Sequence, residues 1–200
     1  MSKYIVKNFT AEEIISDKKI LEEITELSNT AYLDPKNRAN ANYETEEWET
    51  NSSSLLHIIL KKDRFKEGNG MLSLLYDNNK LIGFAGAYKH TDNILICLVR
   101  AYTKKKYRSK TLLGTYILPE EIKFAKEIGC EKAWLTFNDY NKTIYDGLKR
   151  VSKGKGVILG TKTPNIYKQA TFYEEPMMIK DTMQYVVEFN CRCNCTPYSI

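Results

Sequence analysis

Two apolar runs, residues 94–102 and 132–137, flank one amphipathic stretch, residues 111–129, and this order constrains the fold more than anything else in the chain. Runs so free of polar residues read as strands covered on both faces. Between them Leu113, Ile117, Phe124 and Ile128 fall within about 60° of one another at 100° per residue. That stripe stays in phase across Pro119, so the spacing predicts one helix kinked at Pro119 and stopped by Gly129. A strand, a helix and a second strand in series require a crossover and a locally parallel pair. Sites in such units lie at the C-terminal end of the first strand.

The rest of the chain fits around this unit. Residues 3–9 read as a first strand. Thr10 and Glu13 have the spacing of a capping box, and Ile14, Ile20, Leu21, Ile24 and Leu27 recur at helical spacing, predicting a helix over 11–32. Residues 33–54 are polar, with Pro35 near their start, and read as a long loop or short helix; residues 55–60 end a second helix closing in Lys61-Lys62. Residues 71–76 and 81–88 form a hairpin around the turn at 77–80, and residues 91–93 turn again into the strand at 94. Asn138-Asp139 caps a helix running to about Val151. Residues 153–156 form a flexible loop, and 156–190 hold two or three strands around turns at 161–165 and 174–176. The fold class expected is α/β (α+β): a mixed, mostly antiparallel sheet with a central β-α-β crossover and helices on both faces. Residues 1–190 read as one domain, followed by a cysteine-bearing tail, 191–200.

Composition narrows the classes of function. The 200 residues are 42% hydrophobic and 28% charged, enough for a sizeable core without disulfides. No run approaches the roughly 18 apolar residues of a membrane span, and the first residues lack the apolar core of a secretory leader. A cytoplasmic protein without a membrane partner is expected. A net charge of +5 permits an anionic partner without demanding one. The 5 cysteines cannot all pair with one another. Cys97 and Cys130 read as core residues. Cys191, Cys193 and Cys195 alternate in a tail that lacks the C-x(2–4)-C spacing and fourth ligand of a zinc site, so it reads as a mobile thiol-bearing end and no metal is expected.

Chemistry concentrates between the strand and the helix. Lys104, Lys105, Lys106, Arg108 and Lys110 fall where a helix start offers unpaired N–H groups and positive potential, a combination suited to phosphate. The stretch Tyr107-Arg108-Ser109-Lys110-Thr111-Leu112-Leu113 resembles the [QR]-x-x-G-x-[GA] turn of the GNAT superfamily of N-acetyltransferases, with Arg108 in the first position. Thr111 and Leu113 stand where small residues are the rule, a departure that opens the turn or shifts phosphate binding to basic side chains; Gly114 is one place late. Asn138 and Tyr145 match a second pattern of that superfamily, N-x(6)-Y. The resemblance covers 94–151 in motif and 71–190 in element order.

What the resemblance implies is direct acyl transfer from acetyl-CoA to an amine, on a sheet that splays in a V. Val99 and Ala101 would offer amides to the thioester carbonyl. Arg108, Ser109, Lys110, Thr111, Leu112 and Leu113 would hold the diphosphate, with Asn138 near the pantetheine arm. Tyr145 would protonate the leaving thiolate. From the residues alone, Asn138 is equally a helix cap and Tyr145 equally a core aromatic. The strand at 94–102 has no carboxylate, so the base is sought among His90, Asp139 and the loop acids Glu44, Glu46, Glu47 and Glu49, with a water relay as another route; His90 also reads as a surface-turn residue and His57 as packed. The acceptor is expected to be a small-molecule or protein amine, with Tyr32, Tyr43 and Trp48 on its side. Two alternatives stay open. One is a nucleic-acid acceptor, as in viral relatives that modify a DNA base, served by Lys149, Arg150, Lys153 and Lys155. The other is a non-catalytic binding module on a decayed scaffold. A monomer or homodimer suits each.

Overall fold

The structure, a computed structural model, describes residues 4–33, 65, 68–155, 165–179 and 182–192. The segment at 33–54 and the apolar run at 55–60, with Tyr43, Glu44, Glu46, Glu47, Trp48, Glu49 and His57, lie outside the described residues, apart from the end of the helix that closes at Leu33.

Strand β1 (Tyr4–Phe9) leads into α1 (Ala11–Ser16). The capping box is present: the Glu13 amide donates to Thr10 Oγ1 at 3.2 Å and the Thr10 amide to the Glu13 carboxylate at 2.7 Å. The single helix expected over 11–32 is two, because Asp17 leaves helical geometry (φ −99°, ψ 97°) and starts α2 (Lys18–Leu33). Its carboxylate accepts the Lys19 and Ile20 amides at 3.0 and 3.1 Å, a new N-terminal cap that periodicity alone passes over.

Strands β2 (Gly70–Asp77), β3 (Lys80–Thr91) and β4 (Ile94–Thr103) form an antiparallel meander. Asn78 and Asn79 both take positive φ (49° and 64°), the two-residue turn whose twist suits a hairpin. Beyond β4 come a 3₁₀ turn (Lys105–Lys110), a π-helical turn (Leu113–Ile117) and α3 (Leu118–Glu127). Strand β5 (Lys132–Phe137) is followed by a 3₁₀ turn (Asp139–Asn141) and α4 (Lys142–Ser152). A 3₁₀ turn (Asn165–Gln169) then precedes β6 (Thr171–Phe172), β7 (Met177–Ile179) and β8 (Thr182–Asn190). The sheet order is β1-β2-β3-β4-β5-β8-β6, with β7 paired to β8. Among the described strands, only β4 and β5 are parallel.

The crossover helix is built differently from the expectation. Its irregularity is the π turn immediately before Pro119, not a kink at the proline. A π turn holds one residue more than an α turn and so rotates everything beyond it. The buried face becomes Leu118, Glu121, Ile122 and Ala125, while Phe124 and Ile128 are only partly buried. Leu72, Leu74, Phe84, Ile96, Trp134 and Val186 pack under α1 and α2; Cys97, Leu135, Val187 and Phe189 pack under α3 and α4. Cys191 belongs to that second core at 5% exposure, and its amide donates to the Glu131 carbonyl at 2.8 Å. The first tail cysteine is thus anchored rather than mobile, because it continues β8 past the foot of β5; Cys193 and Cys195 lie outside the described residues. No helix among the described residues is long and apolar enough to cross a membrane.

Candidate active site

The site is built on the place where two parallel strands part. Strands β4 and β5 pair from Ile94↔Lys132 to Cys97↔Leu135 and no further. Beyond Cys97, β4 holds only to β3, and irregularly: Ile96 to Tyr102 runs against Tyr88 to Phe84, two residues more on β4 than on β3. Bulges of this kind re-aim backbone groups. Leu98 and Arg100 take left-handed φ values of 52° and 54° to make them. Val99 and Ala101, half-buried, stand in this stretch on β4. Among the described residues, β4 from Leu98 to Ala101 therefore has no strand partner on its β5 side.

The basic loop follows at once. Tyr107, which sequence reasoning passed over, anchors it: the ring is 8% exposed, and its hydroxyl donates to Asp77 Oδ2 at 2.9 Å on β2. The signal was a lone aromatic inside a run of lysines. The Lys104 amide also donates to the Ile82 carbonyl at 2.9 Å. Lys105 and Lys106 are exposed, with Lys106 Nζ 4.9 Å from the centre of the Tyr107 ring. The backbone of Arg108, Ser109 and Lys110 forms the 3₁₀ turn that delivers the chain to the helix; their side chains lie outside the described residues.

Thr111 occupies the left-handed region (φ 50°, ψ 28°), a conformation glycine adopts freely and a β-branched residue resists. The position where the superfamily pattern has glycine thus keeps the glycine conformation without the glycine. Thr111→Gly is expected to raise stability by about 1 kcal/mol through relief of that strain, read as a shift in urea midpoint. Leu112 is buried and Leu113 half-buried at the helix start.

Gly114 serves another purpose than replacing that glycine. A Cβ built there would lie 2.5 Å from the Tyr167 hydroxyl. Tyr167 is 4% exposed and stacks edge-on against Phe189 with ring centres 5.9 Å apart. Gly114→Ala is therefore expected to cost about 1–3 kcal/mol, the range for overpacking, and Tyr167→Phe to recover most of it; chemical denaturation of the two single variants and the double variant checks this.

At the far side of the opening, Asn138 Oδ1 accepts the Asn141 amide at 3.2 Å and caps the turn into α4. Asp139 beside it is exposed. Tyr145 is 2% exposed, ringed by Phe137, Phe172 and Tyr185 at 5.2–6.0 Å between ring centres. Its hydroxyl donates to the Tyr173 carbonyl, and burial holds the phenol above its ordinary value of 10.0. Asn138 and Asp139 thus follow the end of β5, where the opening lies, while Tyr145 is buried with its hydroxyl turned to the Tyr173 carbonyl beside β6 and β8. His90 does not join them. It lies four residues along β3 from Gly86, the partner of Val99, which is about 13 Å of strand, and its ring sits 6.4 Å from that of Trp134. Of the second basic group, Lys149 pairs with Glu174, whose carboxylate it lowers, while Arg150, Lys153 and Lys155 are exposed. Among the described residues no three His, Cys, Asp or Glu side chains are arranged to hold a metal.

A sheet opened between the parallel strands β4 and β5, with a helix start beyond, is the geometry the sequence resemblance implied. The profile of the Acetyltransferase (GNAT) family matches residues 21–145. The chain belongs to this GNAT family. Solved structures agree in fold. An acetyltransferase from Streptococcus agalactiae superposes with a TM-score of 0.55 at 11% identity, covering 95% of this chain and 99% of that one. A PaiA N-acetyltransferase from Thermoplasma acidophilum, solved in complex with coenzyme A, gives 0.54 at 16% identity over 95% and 99%. A chimeric spermidine N-acetyltransferase from Vibrio cholerae and hSSAT gives 0.53 at 10% identity over 95% and 96%. No curated protein matches the sequence. Family membership brings with it the acyl-CoA N-acyltransferase fold and acetyl transfer as the general activity of this GNAT protein.

Proposed function

We propose that the protein moves an acetyl group from acetyl-CoA to the amine of a small molecule by direct attack on the thioester. The observation carrying this reading is the parting of β4 and β5 after Cys97↔Leu135, with a basic loop and a helix start directly beyond. The acceptor nitrogen forms the new C–N bond as the C–S bond breaks. The nitrogen loses a proton and the coenzyme A thiolate gains one. Amides of Val99 and Ala101 polarise the carbonyl, as donors of an oxyanion site do. The helix start with Arg108, Ser109, Lys110, Thr111, Leu112 and Leu113 holds the diphosphate. Asn138 would contact the pantetheine arm. In this reading Asp139 takes the acceptor's proton, directly or through water, and Tyr145 protonates the thiolate once its hydroxyl leaves the Tyr173 carbonyl; the exposure of Asp139 supports the first role.

One observation favours a second reading, a binding module that does not take up acetyl-CoA: the Tyr167 side chain fills the space beside Gly114 at the helix start. Calorimetric titration with acetyl-CoA separates the two. Binding at micromolar concentration supports acetyl transfer; no heat at millimolar ligand supports the module. An amine panel with detection of released thiol then finds the acceptor, and duplex or single-stranded DNA in the same assay tests the nucleic-acid alternative.

A further inference from the structure

Helix α3 carries a carboxylate where its pattern calls for an apolar residue. Leu118, Glu121, Ile122 and Ala125 form the buried face against the sheet, and Glu121 is 0% exposed. One oxygen, Oε2, accepts the Leu98 amide at 2.8 Å. The other, Oε1, is buried without a hydrogen-bond partner. A buried carboxyl in that condition is costly, and an apolar residue of similar size would serve packing as well or better. The amide it holds is not an ordinary one. Leu98 is the first residue of β4 past the last β4–β5 pair and the first with left-handed φ.

We infer that Glu121 is a positioning residue for acyl transfer: by drawing the Leu98 amide back toward α3 it fixes the bulge and so aims the Val99 and Ala101 amides into the opening. The role rests on the acetyl-transfer reading above. Glu121 touches neither acyl group nor amine; it acts through the backbone of β4. The titratable groups around it are the Cys97 thiol on β4 and, beyond that thiol, Cys130, Cys191 and Tyr167. None of these carries a positive charge that would keep the carboxyl ionised. Burial accordingly raises it well above 4.5, against the opposing pull of the Leu98 amide and the Cys97 thiol. The neutral acid still offers Oε2 to the amide, so its clamp does not need charge.

The experiment compares wild type with E121Q and E121L, in three measurements on the full chain. The first is the affinity for acetyl-CoA against coenzyme A, which needs no acceptor. Wild type and E121Q are expected to prefer acetyl-CoA about three- to tenfold, the worth of hydrogen bonds to the acyl carbonyl. E121L is expected to bind both alike, with the coenzyme A affinity unchanged because the diphosphate contacts lie elsewhere. The second is the Leu98 amide by NMR: downfield and slow to exchange in wild type and E121Q, shifted and fast in E121L. The third is stability against pH. A carboxyl that keeps its proton in the fold above the unfolded value contributes fully below about pH 4.5, and that contribution declines as pH rises toward the folded value; E121Q is expected to lack this decline. An E121L variant that keeps the acetyl preference, or an E121Q variant that loses it, overturns the assignment. Should E121L fail to fold, the E121Q affinities and the Leu98 amide decide alone. Wild type binding neither ligand overturns the acetyl-transfer reading itself, which is a different result from wild type showing a preference that E121L shares.

Discussion

Replacing Arg108 and Lys110 together by alanine is expected to weaken acetyl-CoA binding on the order of a hundredfold to ten-thousandfold while leaving the denaturation midpoint nearly unmoved. Each charge-assisted hydrogen bond to phosphate is worth about 1.5–3 kcal/mol, and two such contacts combine. Stability is insulated because the loop is held by other residues: Tyr107 buried against Asp77, and the Lys104 amide on the Ile82 carbonyl. Titration at two salt concentrations is the check. Wild-type affinity is expected to fall more steeply with salt than that of the double variant, since the double variant has lost the charges that salt screens. Equal affinities for the two proteins mean that the helix start near Thr111 does not hold the diphosphate.

Tyr145→Phe and Tyr145→Ala are expected to divide two roles of one side chain. The alanine variant loses about 3–5 kcal/mol, the cost of emptying a buried aromatic site, because the ring packs among Phe137, Phe172 and Tyr185. The phenylalanine variant keeps that packing and loses about 1 kcal/mol for the hydroxyl on the Tyr173 carbonyl. Its turnover is expected to fall about a hundredfold, the contribution of a positioned acid, with KM for acetyl-CoA unchanged. Turnover equal to wild type shows the phenol to be packing only. The pH dependence carries a sign as well. Burial holds this phenol above 10.0, so it stays protonated, and competent as an acid, throughout the neutral range.

Elements with a strong local signal were legible in the sequence. Strand β5 falls at the residues its apolar run marks, Lys132–Phe137, the hairpin turns on two asparagines that tolerate positive φ, and Thr10 with Glu13 forms its capping box. The parallel pair followed from the order of strand, helix and strand. What escaped was set by non-local packing. Asp17 breaks a helix whose apolar residues stay in register across the break. The π turn before Pro119 shifts the phase of the helix by one residue, so the buried face moves from Phe124 and Ile128 to Leu118, Ile122 and Ala125, with Glu121 among them. Near the candidate site, the basic loop after β4, Asn138 as a cap and Tyr145 as a core aromatic could be read in advance. That Gly114 abuts a tyrosine 53 positions later could not, because no spacing rule connects them.

The order of strands in the sheet also governs how the chain must assemble as it is made. Strand β8 pairs with β5 along its whole length, yet Trp134 and Glu188, which meet across that ladder, stand 54 residues apart. A nascent chain on the ribosome can complete β1 to β4 and even dock β5, but β5 remains an open edge until residues 182–190 have emerged. Exposed edges of apolar strands recruit other chains, and long-range pairings close slowly. The interval between synthesis of β5 and arrival of β8 is therefore the period when that edge is most open to other chains, and slowing translation after residue 137 is expected to increase aggregation of the newly made chain.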